Sequence, residues 1–131
     1  MRTATLSLLV AAVALPAFAQ EPLKGDSFQA LVEGRTLTYG AKGQPPRGYE
    51  RYYSDRRVTW AEPGGTCLEG RWYPDGPRIC FTYDVEPGPF CYLYYRDGGS
   101  ILSTNPDGSE PETSIDAPLD VADFGCEWLG A

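Results

Sequence analysis

The sequence predicts a mainly β fold, an antiparallel meander curled into a small barrel or sandwich, with one short N-terminal helix. Three observations carry this expectation. Fifteen Gly and twelve Pro against one Met in 131 residues call for many short elements joined by tight turns. Between Tyr49 and Ser103 the apolar residues fall in short alternating runs with brief links, the pattern of sequential antiparallel neighbours. Three Trp, nine Tyr and five Phe supply those runs with the side chains that form β cores and cross-strand pairs.

Ahead of this domain the chain reads as an export signal over residues 1–19. Arg2 gives the positive start, Leu6 to Leu15 an apolar run, and Ala17-Phe18-Ala19 a small-x-small cleavage site. The run is too short for a membrane span, which needs about twenty apolar residues, and Pro16 breaks it. Cleavage after Ala19 leaves residues 20–131 as a single disulfide-bonded β domain, periplasmic or extracellular, whose charge moves from −7 to −8 with the loss of Arg2.

In the mature chain, Asp26 stands as an N-cap before Ser27 to Glu33, with Gln29 as its capping-box partner and Gly34 as the stop. Phe28, Leu31 and Val32 form one apolar stripe, so the two-turn helix has to dock on something to be stable. The period then changes to two. Leu37 and Tyr39 alternate with Thr36 and Thr38, and a Gly/Pro/Gln stretch follows to Gly48. Strands are expected at Tyr49 to Tyr53 and Arg57 to Ala61, turned by Ser54-Asp55-Arg56. Next come Leu68 to Tyr73 and Arg78 to Tyr83, turned by Pro74-Asp75-Gly76-Pro77. Phe90 to Arg96 and Ser100 to Ser103 complete the meander. Residues 105–120, rich in Pro, Asp, Glu, Ser and Gly, read as an exposed acidic loop, and Val121 to Trp128 returns to the body as strand or short helix.

Parity sorts the faces. Leu68, Gly70 and Trp72 share one side with Ile79, Phe81 and Tyr83, joined by Val58, Trp60, Leu37 and Tyr39, and these form the expected core. Four Cys in an exported chain imply two disulfides. Their spacing contains no C-x-x-C pair and the chain has no His, so zinc ligation is not indicated. Of the three connectivities, Cys80–Cys91 with Cys67–Cys126 is favoured. A direct Cys80–Cys91 bridge needs a wide loop or bulge around Pro87-Gly88 and places Tyr92 and Tyr94 in the core. Cys67–Cys80 is the alternative.

The composition excludes several functions. Without His there is no Ser-His-Asp or Cys-His nucleophile, and strong acidity argues against nucleic acid and anionic lipid as partners. No cofactor or metal is indicated. Asn105, Asp107, Ser109, Glu110 and Glu112 could offer oxygen to calcium, but they lack the EF-hand order. Carboxylates are the available acid/base groups. Glu50 and Glu69, both in strands, could act as a glycosidase pair only if they faced one another at about 5–9 Å, whereas strand carboxylates usually point to solvent. The favoured expectation is a non-enzymatic binding module. Its candidate surface is Arg71, Tyr73, Arg78, Leu93 and Tyr95, which parity sends away from Trp72, with Tyr and Arg the types enriched at binding hot spots.

Glu33-Gly34-Arg35-Thr36, Tyr49-Glu50-x-Tyr52, Trp60, Gly65-x-Cys67-x-x-Gly70-x-Trp72, Ile79-Cys80-Phe81-x-Tyr83 and Cys91 together resemble a group of small exported bacterial proteins of unknown function. The resemblance spans roughly residues 26–96, and its most specific part is the Gly-x-Trp to Cys-Phe run. It implies a Gram-negative periplasmic β domain with structural cysteines and lends no catalytic residues. Members of the group often carry Trp after the last of these cysteines, where this chain has Tyr92. A looser likeness, in size, compartment and acidity, is to periplasmic inhibitors of lysozyme or of secreted metalloproteases. It implies the alternative function of blocking a basic, envelope-degrading enzyme, and a small carboxylate-based hydrolase is the third possibility.

Overall fold

The computed structural model describes residues 20–118. The export signal, Val121 to Trp128 and Cys126 lie outside the described residues, and with them the Cys67–Cys126 pairing. The helix α1 (Gly25–Val32) precedes eight strands: β1 (Thr36–Tyr39), β2 (Gly48–Tyr52), β3 (Arg57–Ala61), β4 (Cys67–Asp75), β5 (Arg78–Tyr83), β6 (Phe90–Asp97), β7 (Ser100–Thr104) and β8 (Glu112–Asp116). Each strand pairs antiparallel with the next, and β8 returns to β1 through Leu37↔Asp116 and Thr38↔Ile115. The sheet therefore closes on itself as a barrel rather than splitting into a sandwich, and closure leaves no edge open to other chains.

The strand that closes the barrel is where sequence and structure differ most. Part of the expected acidic loop, 105–120, is β8, which pairs with β7 through Ile101↔Ser114, Leu102↔Thr113 and Ser103↔Glu112. Its inward parity is polar, and its one apolar residue, Ile115, is exposed. Ser114 is fully buried, and the residues of the same parity on either side are acidic, each held by an arginine. Arg47 Nη2 lies 3.1 Å from Glu112 Oε2, and Arg35 Nε lies 2.8 Å from Asp116 Oδ1. Charge pairing at the two ends stands in for the apolar alternation by which strands are recognised in sequence.

The helix is capped at Lys24, two residues before the expected cap Asp26. The Lys24 backbone N–H donates to Ser27 Oγ at 3.0 Å, and that hydroxyl donates back to the Lys24 carbonyl at 3.0 Å, so Ser27 rather than Asp26 organises the first turn. Gly34, at φ +76°, ends the helix as expected. The helix covers one end of the barrel, where the Gln29 amide donates to the Ser54 carbonyl of the β2–β3 hairpin. Phe28 drives into the interior against Tyr52, Trp72 and Tyr94, with ring centroids 5.7, 5.0 and 4.6 Å away. Phe28 and Val32 are completely buried.

Around this plug the expected inward set is in place. Leu37, Tyr39, Val58, Leu68, Trp72, Ile79, Phe81 and Tyr94 are buried, and Trp60, Tyr83 and Tyr92 pack against them. Cys80 and Cys91 face each other across β5 and β6 and are bonded. The required slack is a wide loop, because pairing stops at Phe81↔Phe90 and leaves 82–89 to make the connection. The β4–β5 turn is tighter than expected. Both strands extend to the pair Asp75↔Arg78, leaving Gly76-Pro77 between them.

Candidate functional site

With one end plugged by Phe28, the barrel interior opens at the other, and a cavity of about 200 Å³ runs inward from it. Its walls come from alternate residues of the strands: Tyr39 of β1, Glu50 and Tyr52 of β2, Trp60 of β3, Leu68 of β4, Phe81 and Tyr83 of β5, and Tyr92 and Tyr94 of β6. Arg47, Glu62, Glu86 and Phe90 stand at the rim. A second recess shares Tyr39, Arg47, Tyr92 and Tyr94 and continues to Ser103, Thr104 and Glu112, so Arg47 lies between the two.

Two glycines make room for this wall. A Cβ on Gly48 would stand 2.2 Å from the Trp60 ring, and one on Gly70 would stand 2.1 Å from the Thr82 carbonyl and 2.7 Å from the Tyr83 ring. Gly48 therefore seats the indole of Trp60, and Gly70 lets the Tyr83 ring lie flat against β4. Tyr83 in turn donates from its hydroxyl to Glu50 Oε1 at 2.7 Å.

Glu50 is the unusual member of the wall. It is 2% exposed, and its second oxygen, Oε2, has no hydrogen-bond partner among the described residues. An ionised carboxylate in such a place is costly unless paired. Burial accordingly raises its pKa to about 8, against the opposing pull of the Tyr83 hydrogen bond and the Arg47 charge. Deeper in, the Tyr39 and Tyr52 hydroxyls are 2.5 Å apart, and Tyr94 lines the same space. Burial pushes all three phenols upward, so they stay neutral.

At the mouth, the Arg47 guanidinium stands 5.1 Å from the centre of the Trp60 ring and is held by both oxygens of Glu112, at 3.2 and 3.1 Å. Desolvation opposes its charge, but the Glu112 hydrogen bond and charge outweigh it and raise the pKa. The mouth already holds a cation between an aromatic face and a carboxylate.

The surface proposed from sequence lies elsewhere. Arg71, Tyr73, Arg78, Leu93 and Tyr95 all sit on the outer wall of β4 to β6, and none lines the cavity. Tyr73 is 39% exposed beside Cys80. Arg78 is tied to Asp75, while Leu93 and Tyr95 are half-buried. Arg71 belongs to a separate outer groove with Tyr53, Arg57, Glu69, Thr82 and Asp84.

The glycosidase pair is corrected by the register. Glu50 pairs with Trp60 and faces inward, whereas Glu69 pairs with Thr59, is exposed and lines the outer groove. The wall of the barrel separates the two carboxyls, so they cannot flank one glycosidic bond. In the 105–110 turn the candidate calcium ligands bond one another: Asn105 Nδ2 donates to Ser109 Oγ and Glu110 Oε2, and Ser109 donates to Asp107. Among the described residues no group of His, Cys, Asp and Glu is placed to hold a metal, and no helix is long and apolar enough to cross a membrane.

Sequence reasoning placed Trp60, Tyr39 and Tyr83 on the inner face; it weighed Glu50 only as a hydrolase carboxylate that would ordinarily point to solvent, and it missed Arg47. The strand Tyr49-Glu50-Arg51-Tyr52 has a tyrosine of each parity, so its pattern alone does not say which face is inside. The Trp60 pairing decides it. Comparison with known proteins finds no family model, curated protein or solved structure that matches this chain.

Proposed function

We propose that this protein is a non-enzymatic binding module of the cell envelope that takes a small molecule into the open end of its barrel. The observation carrying this reading is Glu50, a buried carboxyl in the lining of an aromatic cavity, with one oxygen left without a partner among the described residues. Native structures rarely leave a buried polar atom unmatched, and barrel mouths are common ligand sites. The cavity of about 200 Å³ adjoins a recess of about 500 Å³ that shares Tyr39, Arg47, Tyr92 and Tyr94, a size suited to a small molecule. The signal-like N-terminus and the Cys80–Cys91 bridge support an exported setting, in keeping with the resemblance to small periplasmic proteins of unknown function.

The test is a thermal-shift screen of small metabolites against the oxidised mature protein, repeated on Leu68→Trp, which fills the cavity, and Tyr73→Ala, which alters the outer face. Ligands that raise the Tm of the wild type and of Tyr73→Ala but not of Leu68→Trp support the reading. Stabilisation lost only in Tyr73→Ala would move the site to the outer wall and overturn it.

A further inference from the structure

Resting on that reading, we infer that the cavity is a receptor for a small organic cation, an amine, guanidine or quaternary ammonium, with Glu50 as its counter-ion. Three independent features of the site point the same way.

The first is the orphan oxygen. Tyr83 occupies Oε1 of Glu50, a residue that lines the cavity, while Oε2 is buried without a partner among the described residues. Once Glu50 is ionised this oxygen needs a donor, and a charged donor makes the strongest such bond.

The second is the balance of charge. The described ionisable groups lining the cavity are Glu50, which is protonated before binding, Glu62, Glu86 and Arg47. Arg47 is already neutralised by Glu112, so the mouth has an excess of negative charge that draws cations and repels anions.

The third is the wall itself. Aromatic faces attract cations through their quadrupole, and the structure contains a working instance. The guanidinium of Arg47 sits over Trp60 with Glu112 closing the far side. The proposed ligand repeats this arrangement one layer deeper, against Glu50.

Binding is coupled to a proton. Unliganded Glu50 is held protonated near neutrality by burial. The groups facing it are Tyr83 from β5, Tyr39 from β1, Tyr52 from β2, and Tyr92 and Tyr94 from β6, all neutral phenols in its field, and Arg47 ahead of β2. None can take its proton at neutral pH. On arrival of the cation the O–H bond of Glu50 breaks, the proton leaves to solvent, and the carboxylate left behind pairs with the ligand's charge.

The experiment is calorimetry on the oxidised protein with choline, methylguanidinium and butylammonium, set against 3,3-dimethyl-1-butanol, the uncharged shape match of choline. Choline and methylguanidinium keep their charge throughout, so their affinity should rise roughly tenfold or more from about pH 6 to about pH 9. Titrations at about pH 6 in buffers of different ionisation heat should show close to one proton released per cation. Glu50→Gln should lose both the affinity and the proton release while keeping the wild-type fold by circular dichroism, and Glu50→Asp should recover part of each. If the neutral alcohol binds as well as choline, and Glu50→Gln binds both unchanged, the cation proposal is overturned while the binding-barrel reading stands. If no cation binds in the millimolar range, the proposal fails, and if the metabolite screen is also silent the binding reading fails with it.

Discussion

The Tyr83 hydroxyl reaches across the barrel to Glu50, 33 residues away in sequence, and bonds one oxygen of its carboxyl at 2.7 Å. The pair joins β5 to β2 through the interior, although these strands are not neighbours in the sheet. It also leaves the other oxygen of Glu50 buried without a partner among the described residues.

Glu50 makes the stability of the fold depend on pH. Its pKa is about 8 in the folded protein against an ordinary value of 4.5. A carboxyl raised on folding leaves the native state holding more protons than the unfolded chain between those two values. Its stabilising protonation is fully present below about pH 4.5 and is lost as pH rises through about 8. Denaturant titrations across that window should show the free energy of unfolding falling by an amount on the order of a few kcal/mol. Glu50→Gln, which cannot ionise, should flatten that component and be the more stable protein at the alkaline end. An unchanged slope in Glu50→Gln would mean that other groups set the pH dependence.

Gly70 is the residue on which the Tyr83 position rests. Its missing side chain leaves the space that the Tyr83 ring and the Thr82 carbonyl occupy. Gly70→Ala should therefore cost about 1–3 kcal/mol, typical of overpacking, and should swing Tyr83 away from Glu50. Near-ultraviolet circular dichroism would report the displaced ring. Wild-type stability and spectra in Gly70→Ala would show that the neighbouring strand yields easily.

The Cys80–Cys91 bridge closes a loop of 11 residues in separation. In the chain-entropy account such a short loop contributes roughly 3 kcal/mol by restricting the unfolded chain. The double variant Cys80→Ser/Cys91→Ser should unfold at correspondingly lower denaturant concentration, with native-like circular dichroism before the transition. Loss of the fold altogether would show that the bridge is needed to hold β5 and β6 in register over the wide 82–89 loop.

Much of this architecture was legible because its period was simple. Leu68 and Trp72, Phe81 and Tyr83, Val58 and Trp60 declare their face by alternation, whereas the favoured Cys80–Cys91 bridge needed a wide loop to bring its register together, and 82–89 supplies it. What stayed hidden depends on partners far away in sequence. β8 hides because Glu112 and Asp116 face Arg47 and Arg35 instead of apolar neighbours. Glu50 hides because a strand carboxylate is ordinarily solvated, and only the register Glu50↔Trp60 turns it inward. Arg47 lies in a loop without periodicity, so nothing local connects it to Trp60 or Glu112. The site is made of these long-range pairs, which is why the barrel was easier to read than the cavity.

The plug gives the most direct test of how cavity and fold are linked. Phe28 is wholly buried and touches rings from β2, β4 and β6, so it ties together three strands spread around the barrel wall. Truncating a buried Phe to Ala costs about 3–5 kcal/mol through lost transfer energy and the void left behind. Phe28→Ala should show that loss in chemical denaturation. Tyr52 and Tyr94 would lose a face of their packing, and through the Tyr39–Tyr52 hydroxyl contact the floor of the cavity would loosen as well. Hydrogen exchange should then accelerate at Tyr39, Tyr52 and Tyr94 more than at Ile101 and Ser114 on the far strands. Uniform acceleration would show instead that the barrel opens as one cooperative unit, with the plug contributing stability but no particular support to the cavity floor.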